Sequence, residues 1–182
     1  MVADAVEIAD YNAEWPSLFR QLAGTLRSAL GDTALRIDHI GSTAVPGLAA
    51  KPIIDVQISV ADFDPLSAYR VPLERLGFVY RADNPELTKR YFRESPGTRR
   101  THFHVRRSGS WAEQFALLFR DYLRAAPHEA QRYAEVKRSL AARHRDNRQA
   151  YTDGKQPFIW EVMGRADRWS QEVGWSPGPS DT

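Results

Sequence analysis

The tightest constraint in this chain is the segment IIDVQISV at residues 53–60. It is dominated by β-branched residues, and side chains of a strand alternate between its two faces. Val56 and Ile58 then point one way, Asp55 and Gln57 the other. A strand of this composition belongs inside a sheet. A carboxylate there is costly unless a cation, a metal or several donors meet it. The fold has to bring something to Asp55, and the rest of the chain can be searched for what that is. Pairing with Lys51 or an arginine, or capping of a nearby loop, is the plain structural answer. A rigid metal ligand on a sheet is the functional one.

The residues before this strand are HIGSTAVPGLAAKP. Gly41, Ser42 and Thr43 follow a strand directly, and such a turn can offer backbone N–H groups and hydroxyls to a phosphate. Gly-Ser-Thr also occurs in ordinary turns, and the G-x-x-x-x-G-K-[ST] pattern is absent. Pro46 and Gly47 limit any helix here to about a turn. Further on, THFHV puts His102 and His104 on one strand face. Two neutral imidazoles at this spacing suit a metal, or acid–base work on a phosphate, or are two half-exposed edge residues. Lys89, Arg90, Arg93, Arg99, Arg100, Arg106 and Arg107 crowd the same region and could gather phosphate oxygens around the histidines.

Periodicity places these motifs. Residues 12–30 read as an amphipathic helix, with Asn12 in capping position, Pro16 in the first turn and Gly31 after the end. LRIDHIG, KPIIDVQISV, FVYRA, KRYFRES and THFHVRR read as strands, with a helix around Pro72 between the second and third. After residue 108 the period changes to that of helices, over SWAEQFALLFRDYLRAAP, HEAQRYAEVKRSLAARHRD and KQPFIWEVMGRADRWSQEV. Lys137, Arg138 and Arg145 are expected on a solvated helix face. Trp160, Trp169 and Trp175 are expected to cover the core or an interface. The last residues, GWSPGPSDT, are expected to fray. The order of elements predicts an α+β fold, with a core over residues 1–108, a helical part over 109–172 packed on it, and a tail over 173–182.

Composition narrows the function classes. With 42% hydrophobic residues among 182, the chain can bury a real core. A net charge of +2 gives no global pull toward nucleic acid, and no aromatic stacking platform interleaves the basic run at 137–148. There is no cysteine, hence no disulfide framework or thiolate chemistry, as suits the cytoplasm. No apolar run reaches the ~20 residues of a membrane span, and the N-terminal residues lack an apolar signal region.

HIGSTAVPGLAAKPIIDVQISV closely resembles the signature of the GrpB (UPF0157-type) family in the nucleotidyltransferase fold superfamily. YNAEWPSLF, HFHV, FRDYLRAAPHEAQRYAEVKRSLA and YTDGKQPFI extend the resemblance over roughly residues 5–170. It implies a nucleotidyltransferase-like mixed β-sheet core flanked by helices, with a C-terminal helical subdomain. It also implies a nucleotide or phosphorylated small molecule as partner, and a divalent metal (Mg, Mn or Zn). Similar domains occur fused to dephospho-CoA kinases. In the superfamily pattern a Gly-Ser turn precedes Asp-x-Asp or Asp-x-Glu on a strand, and a third acid comes from a later strand. Gly41, Ser42 and Asp55 match. Gln57 stands in place of the second acid, and HFHV falls where the third is expected. The resemblance thus makes Asp55, His102 and His104 the catalytic candidates. Asp55, Gln57, His102 and His104 are the metal candidates, and Gly41, Ser42, Thr43, Lys51 and Arg93 the phosphate or nucleotide candidates. A metal-dependent transferase, a binding module that has lost transfer chemistry, and a histidine-dependent phosphoesterase all remain open. The oligomeric state is not legible.

Overall fold

The computed structural model describes residues 5–180. The first four residues of the N-terminal reading and the last two of the tail lie outside the described residues. Helix α1 (Trp15–Leu30) is followed by strand β1 (Arg36–Ile40), a single 3-10 turn at Ser42–Ala44, and strand β2 (Ile54–Val60). Helix α2 (Ser67–Arg75), β3 (Phe78–Tyr80), β4 (Arg90–Glu94) and β5 (Thr101–Arg107) complete the sheet half. Helices α3 (Trp111–Ala125), α4 (Pro127–Arg143), α5 (Arg148–Gly154) and α6 (Gln156–Val173) follow. Helix α5 was not expected from periodicity; it is seven residues long, too short for a helical repeat to register.

The five strands lie in the order β1-β2-β5-β4-β3. Only the β2–β5 pair is parallel; the other three are antiparallel. The sheet is therefore mixed, and its central pair is the one that carries Asp55 and the two histidines.

Alternation gives the sheet two chemically different faces. Ile37, Ile54, Val56, Ile58, Val60, Phe92, Phe103 and Val105 form one core with Trp15, Phe19, Leu26, Tyr69 and Leu73 of α1 and α2. Each such aliphatic side chain, fully buried, contributes about 1.5–3 kcal/mol relative to exposure. The opposite face carries Asp38, Asp55, Gln57, Ser59, Tyr91, Arg93, His102 and His104, because these are register partners across the ladders. Helix α3 covers part of it. Asp38 is fully buried there, held bidentately by Arg36 at 2.9 and 3.0 Å and approached by Arg120 at 3.5 Å. A buried carboxylate is tolerated on those terms and few others.

A second core forms where Val45, Leu48 and Ala49, just past the Gly-Ser turn, meet Leu118, Leu123, Tyr133, Phe158 and Val162 of α3, α4 and α6. The helical half thus packs directly onto the loop between β1 and β2. Of the last three tryptophans, Trp169 and Trp175 pack against this core, whereas Trp160 stays 57% exposed.

Two expectations need correction. Lys137 is not on a solvated face: it is 2% exposed, and its ammonium donates to the Ala49 carbonyl. The tail is also tied down. Ser180 accepts from Ile37 N–H at 3.0 Å and donates to Ile37 O at 2.8 Å, and Trp175 Nε1–H donates to Asp121 at 3.1 Å. β1 is an edge strand with backbone groups to satisfy, and the Ser180 hydroxyl satisfies two of them.

Candidate functional site

The carboxylate of Asp55 is met by imidazoles. In the parallel β2–β5 pair Asp55 lies opposite His102, and Gln57 opposite His104. One carboxylate oxygen, Oδ1, receives both rings: His104 Nε2 at 3.1 Å and His102 Nδ1 at 3.3 Å. Burial opposes ionisation of Asp55, but the hydrogen bonds from His102 and His104 outweigh it and hold the carboxyl well below its usual range. Burial pushes His104 down, against the pull of Asp55. The ligand atoms of Asp55, His102 and His104 all lie within 4.8 Å of one another. Tyr91, on β4, packs against both rings, with centroids 5.5 and 5.3 Å away.

Gly41 makes this arrangement possible. Its φ is +71°, and a Cβ added there would sit 2.9 Å from Asp55 Oδ2. The turn therefore runs across the carboxylate at a distance that only glycine allows. Thr43 locks the turn from behind. Its hydroxyl donates to the Ile53 carbonyl at 3.0 Å and accepts from His39 Nε2 at 3.0 Å. His39 is buried against Phe19 and kept neutral by desolvation, its pKa lowered to about 4.

Beside Asp55 lies a small cavity of about 80 Å³, lined by Ser42, Thr43, Lys51, Asp55, Lys137, Tyr151 and Lys155 among others. Three ammonium groups converge on it. Burial, then Arg148 and Lys155, lower Lys51 to about 8. Burial, then Lys155 and Arg138, lower Lys137 to about 7. Lys155 is lowered too, by burial, with Asp55 partly offsetting it. Lys51 and Lys155 both lie over the Tyr151 ring, 5.1 and 4.8 Å from its centroid. Ser42 lines the cavity as well.

The sequence-derived candidates thus separate. Asp55, His102, His104, Gly41, Ser42, Thr43 and Lys51 come together. Gln57 is fully buried one pair further along the same face, its amide N–H donating to the Glu113 carbonyl at 3.3 Å. Arg93 is register partner to His102 but ion-pairs with Glu94, which also holds Arg100. Lys89 and Arg106 are taken by Glu86, and Arg90 and Arg107 lie over Phe63. The cations that join Lys51 at the cavity are instead Lys137, which was expected on a solvated helix face, and Lys155, which the sequence did not single out. Lys137 was discoverable: with Ala130, Tyr133, Ala134 and Ala141 it falls on the buried stripe of α4.

A profile of the GrpB protein family matches residues 5–165. The chain belongs to the GrpB family. It is 37% identical over 166 residues to the UPF0157 protein YqkA of Bacillus subtilis, covering 91% of this chain but only 48% of YqkA. It is 37% identical to the UPF0157 protein BH1888 of Halalkalibacterium halodurans, over 90% of this chain and 83% of that one. It is 32% identical to a dephospho-CoA kinase of Mycobacterium tuberculosis, but spans only 46% of that protein. Among solved structures, conserved protein GrpB from Enterococcus faecalis matches with a TM-score of 0.82 and 32% identity, over 90% of this chain and 99% of that one. The Cid1 poly(U) polymerase with MgGTP bound matches with a TM-score of 0.52 and 16% identity, over 71% of this chain and 43% of that one. That likeness is one of fold, and it makes this GrpB-family fold nucleotidyltransferase-like.

The donor set can be weighed against the metals such a fold suggests. A pair of Mg²⁺ ions calls for several anionic oxygens. Among the described residues the cluster holds one carboxylate, and the Gln57 amide, whose N–H donates to the Glu113 carbonyl, adds no negative charge. One carboxylate and two imidazoles fit a single divalent cation that accepts nitrogen, such as Zn²⁺ or Mn²⁺. No helix among the described residues is long and apolar enough to cross a membrane.

Proposed function

We propose that this GrpB-family chain binds a phosphorylated small molecule or nucleotide beside one divalent cation, and acts as a nucleotidyltransferase-like transferase. The observation that carries this reading is the adjacency of the Asp55–His102–His104 cluster to a cavity into which three lysines converge. A buried ammonium such as Lys137, with two partly buried ones beside it, is costly, and an anion relieves that cost. Ser42 supplies a hydroxyl at the rim. Asp55, His102 and His104 would hold the cation, which when bound would polarise a phosphoryl oxygen. The lysines would hold the phosphate and offset its charge.

A second reading, a binding module without turnover, has its own observation in favour. Gln57 occupies the position of the superfamily's second acid and is tied into the core by Glu113. The two readings diverge at Asp55. A thermal-shift panel would pair ATP, GTP, CTP, UTP and CoA with EDTA, Mg²⁺, Mn²⁺ or Zn²⁺, on wild type and Asp55→Ala. The transferase reading expects a nucleotide shift that needs metal and vanishes in the variant. A shift indifferent to metal and to the variant supports the binding module, and no shift with any of these ligands removes the nucleotide from both readings.

A further inference from the structure

The inner cavity is small for a site so strongly charged. About 80 Å³ is room for on the order of two or three waters, enough for one small anion and too little for a nucleoside. A larger ligand anchored there has to run outward. A second cleft, of about 390 Å³, shares Lys51 and Ile53 with the inner cavity as walls. That size is typical of ligand sites, roughly 300–1,000 Å³. Its other walls are residues 5–7, Pro52, Arg100 and Arg148. Lys51 and Arg148 have no carboxylate partner within ion-pair distance among the described residues, and Glu7 is the one acid in the lining. No aromatic ring lines the cleft, so it recognises charge and not a stacked base.

We infer that the outer cleft is a second anion subsite, and that the ligand of this protein carries two separated phosphoryl groups. One lies against Lys137, Lys155 and Ser42 in the inner cavity. The other lies against Arg148, with Lys51 between the two groups and Arg100, held by Glu94, in the wall of the cleft. Guanidinium groups suit the exposed subsite because they stay charged and grip phosphate oxygens in pairs. The inner ammoniums suit the closed one, where a compact charge meets a single group. This rests on the reading of the inner cavity as a phosphate site.

Calorimetric titration with orthophosphate, pyrophosphate and tripolyphosphate tests it, in EDTA at constant ionic strength. The proteins are wild type, Lys155→Gln, Arg148→Gln, and Arg143→Gln as a control for lost surface charge. Arg148 and Arg143 are both exposed, so neither change threatens folding. Wild type should bind tripolyphosphate about tenfold or more tighter than orthophosphate. Arg148→Gln should remove most of that gain and leave orthophosphate within about twofold, whereas Lys155→Gln weakens all three ligands. If orthophosphate binds and responds to Lys155→Gln but chain length adds nothing, the outer subsite is refuted alone. The same holds if Arg143→Gln costs as much as Arg148→Gln. If wild type binds none of the three, the inner phosphate reading falls, and the two-subsite inference with it.

Discussion

Gly41→Ala is the substitution that most directly tests how the turn and the carboxylate are joined. Two costs add. Gly41 has φ +71° and ψ −170°, a region essentially reserved for glycine, where a side chain costs about 1–3 kcal/mol. The new Cβ would also lie 2.9 Å from Asp55 Oδ2 and 3.2 Å from Asp55 Cβ, where ordinary contact begins at 3.4 Å. Asp55 or the turn must give by on the order of half an ångström. That is enough to stretch the 3.1 Å bond to His104 beyond hydrogen-bonding range. The strain alone should lower the melting temperature by about 2–12 °C for a chain of this size. Gly47→Ala is the matched control, since Gly47 also has positive φ, +76°, but nothing within 4 Å of an added Cβ. The assay is thermal unfolding of both variants, with Zn²⁺ or Mn²⁺ titrated into each. Gly41→Ala should lose more stability than Gly47→Ala, and it alone should lose metal affinity. Equal destabilisation with unchanged metal binding in both would refute the claim that the turn positions Asp55.

Two other substitutions probe the buried charges. Lys137→Met should stabilise the protein in neutral and acidic buffer, because the folded state holds this lysine near 7 against 10.5 when unfolded. The sign follows from linkage: the unfolded chain binds the extra proton between those values, so the burden of Lys137 is full below about 7 and fades toward 10.5. Urea unfolding from pH 6 to 10 should show the variant's advantage, on the order of a few kcal/mol at most, shrinking as pH rises; a constant difference would contradict it. Gln57→Glu restores the superfamily's second acid but replaces the N–H that donates to Glu113 O with a charged oxygen, next to buried Asp38. It should cost roughly 3–5 kcal/mol in chemical denaturation at pH 7. A variant as stable as wild type would mean that this position tolerates a carboxylate and that Gln57 is not there for packing.

Much was legible in one dimension. Each strand and the long helices follow from hydrophobic period, since period 2 and period 3.6 survive in sequence whatever the fold. Asp55 declared itself as a carboxylate in a β-branched run, and His102 and His104 as a pair on one strand face. Gly41 and Ser42 declared themselves as a turn between strands. What made Asp55 suspicious, the cost of a buried charge, is local chemistry and needs no tertiary information.

Only the fold decided what stands next to what. The parallel pairing of β2 with β5 brings residues 55 and 102 to adjacent positions across 47 residues of chain, and no local rule encodes that register. The lysine-lined cavity depended on it even more. Its lysines come from the β1–β2 loop, α4 and the residue between α5 and α6, so their convergence is a property of how the helical half docks on the turn. In the sequence Lys137 shares the small-residue stripe of its helix, but which surface covers that stripe is set by the fold and not by the residue. Basic residues that looked free to gather phosphate in the sequence, Lys89, Arg93, Arg100 and Arg106, are taken by Glu86 and Glu94, for the same reason read in reverse. Period and residue chemistry are written in the chain; neighbours, and hence charge balance, exist only once it is folded.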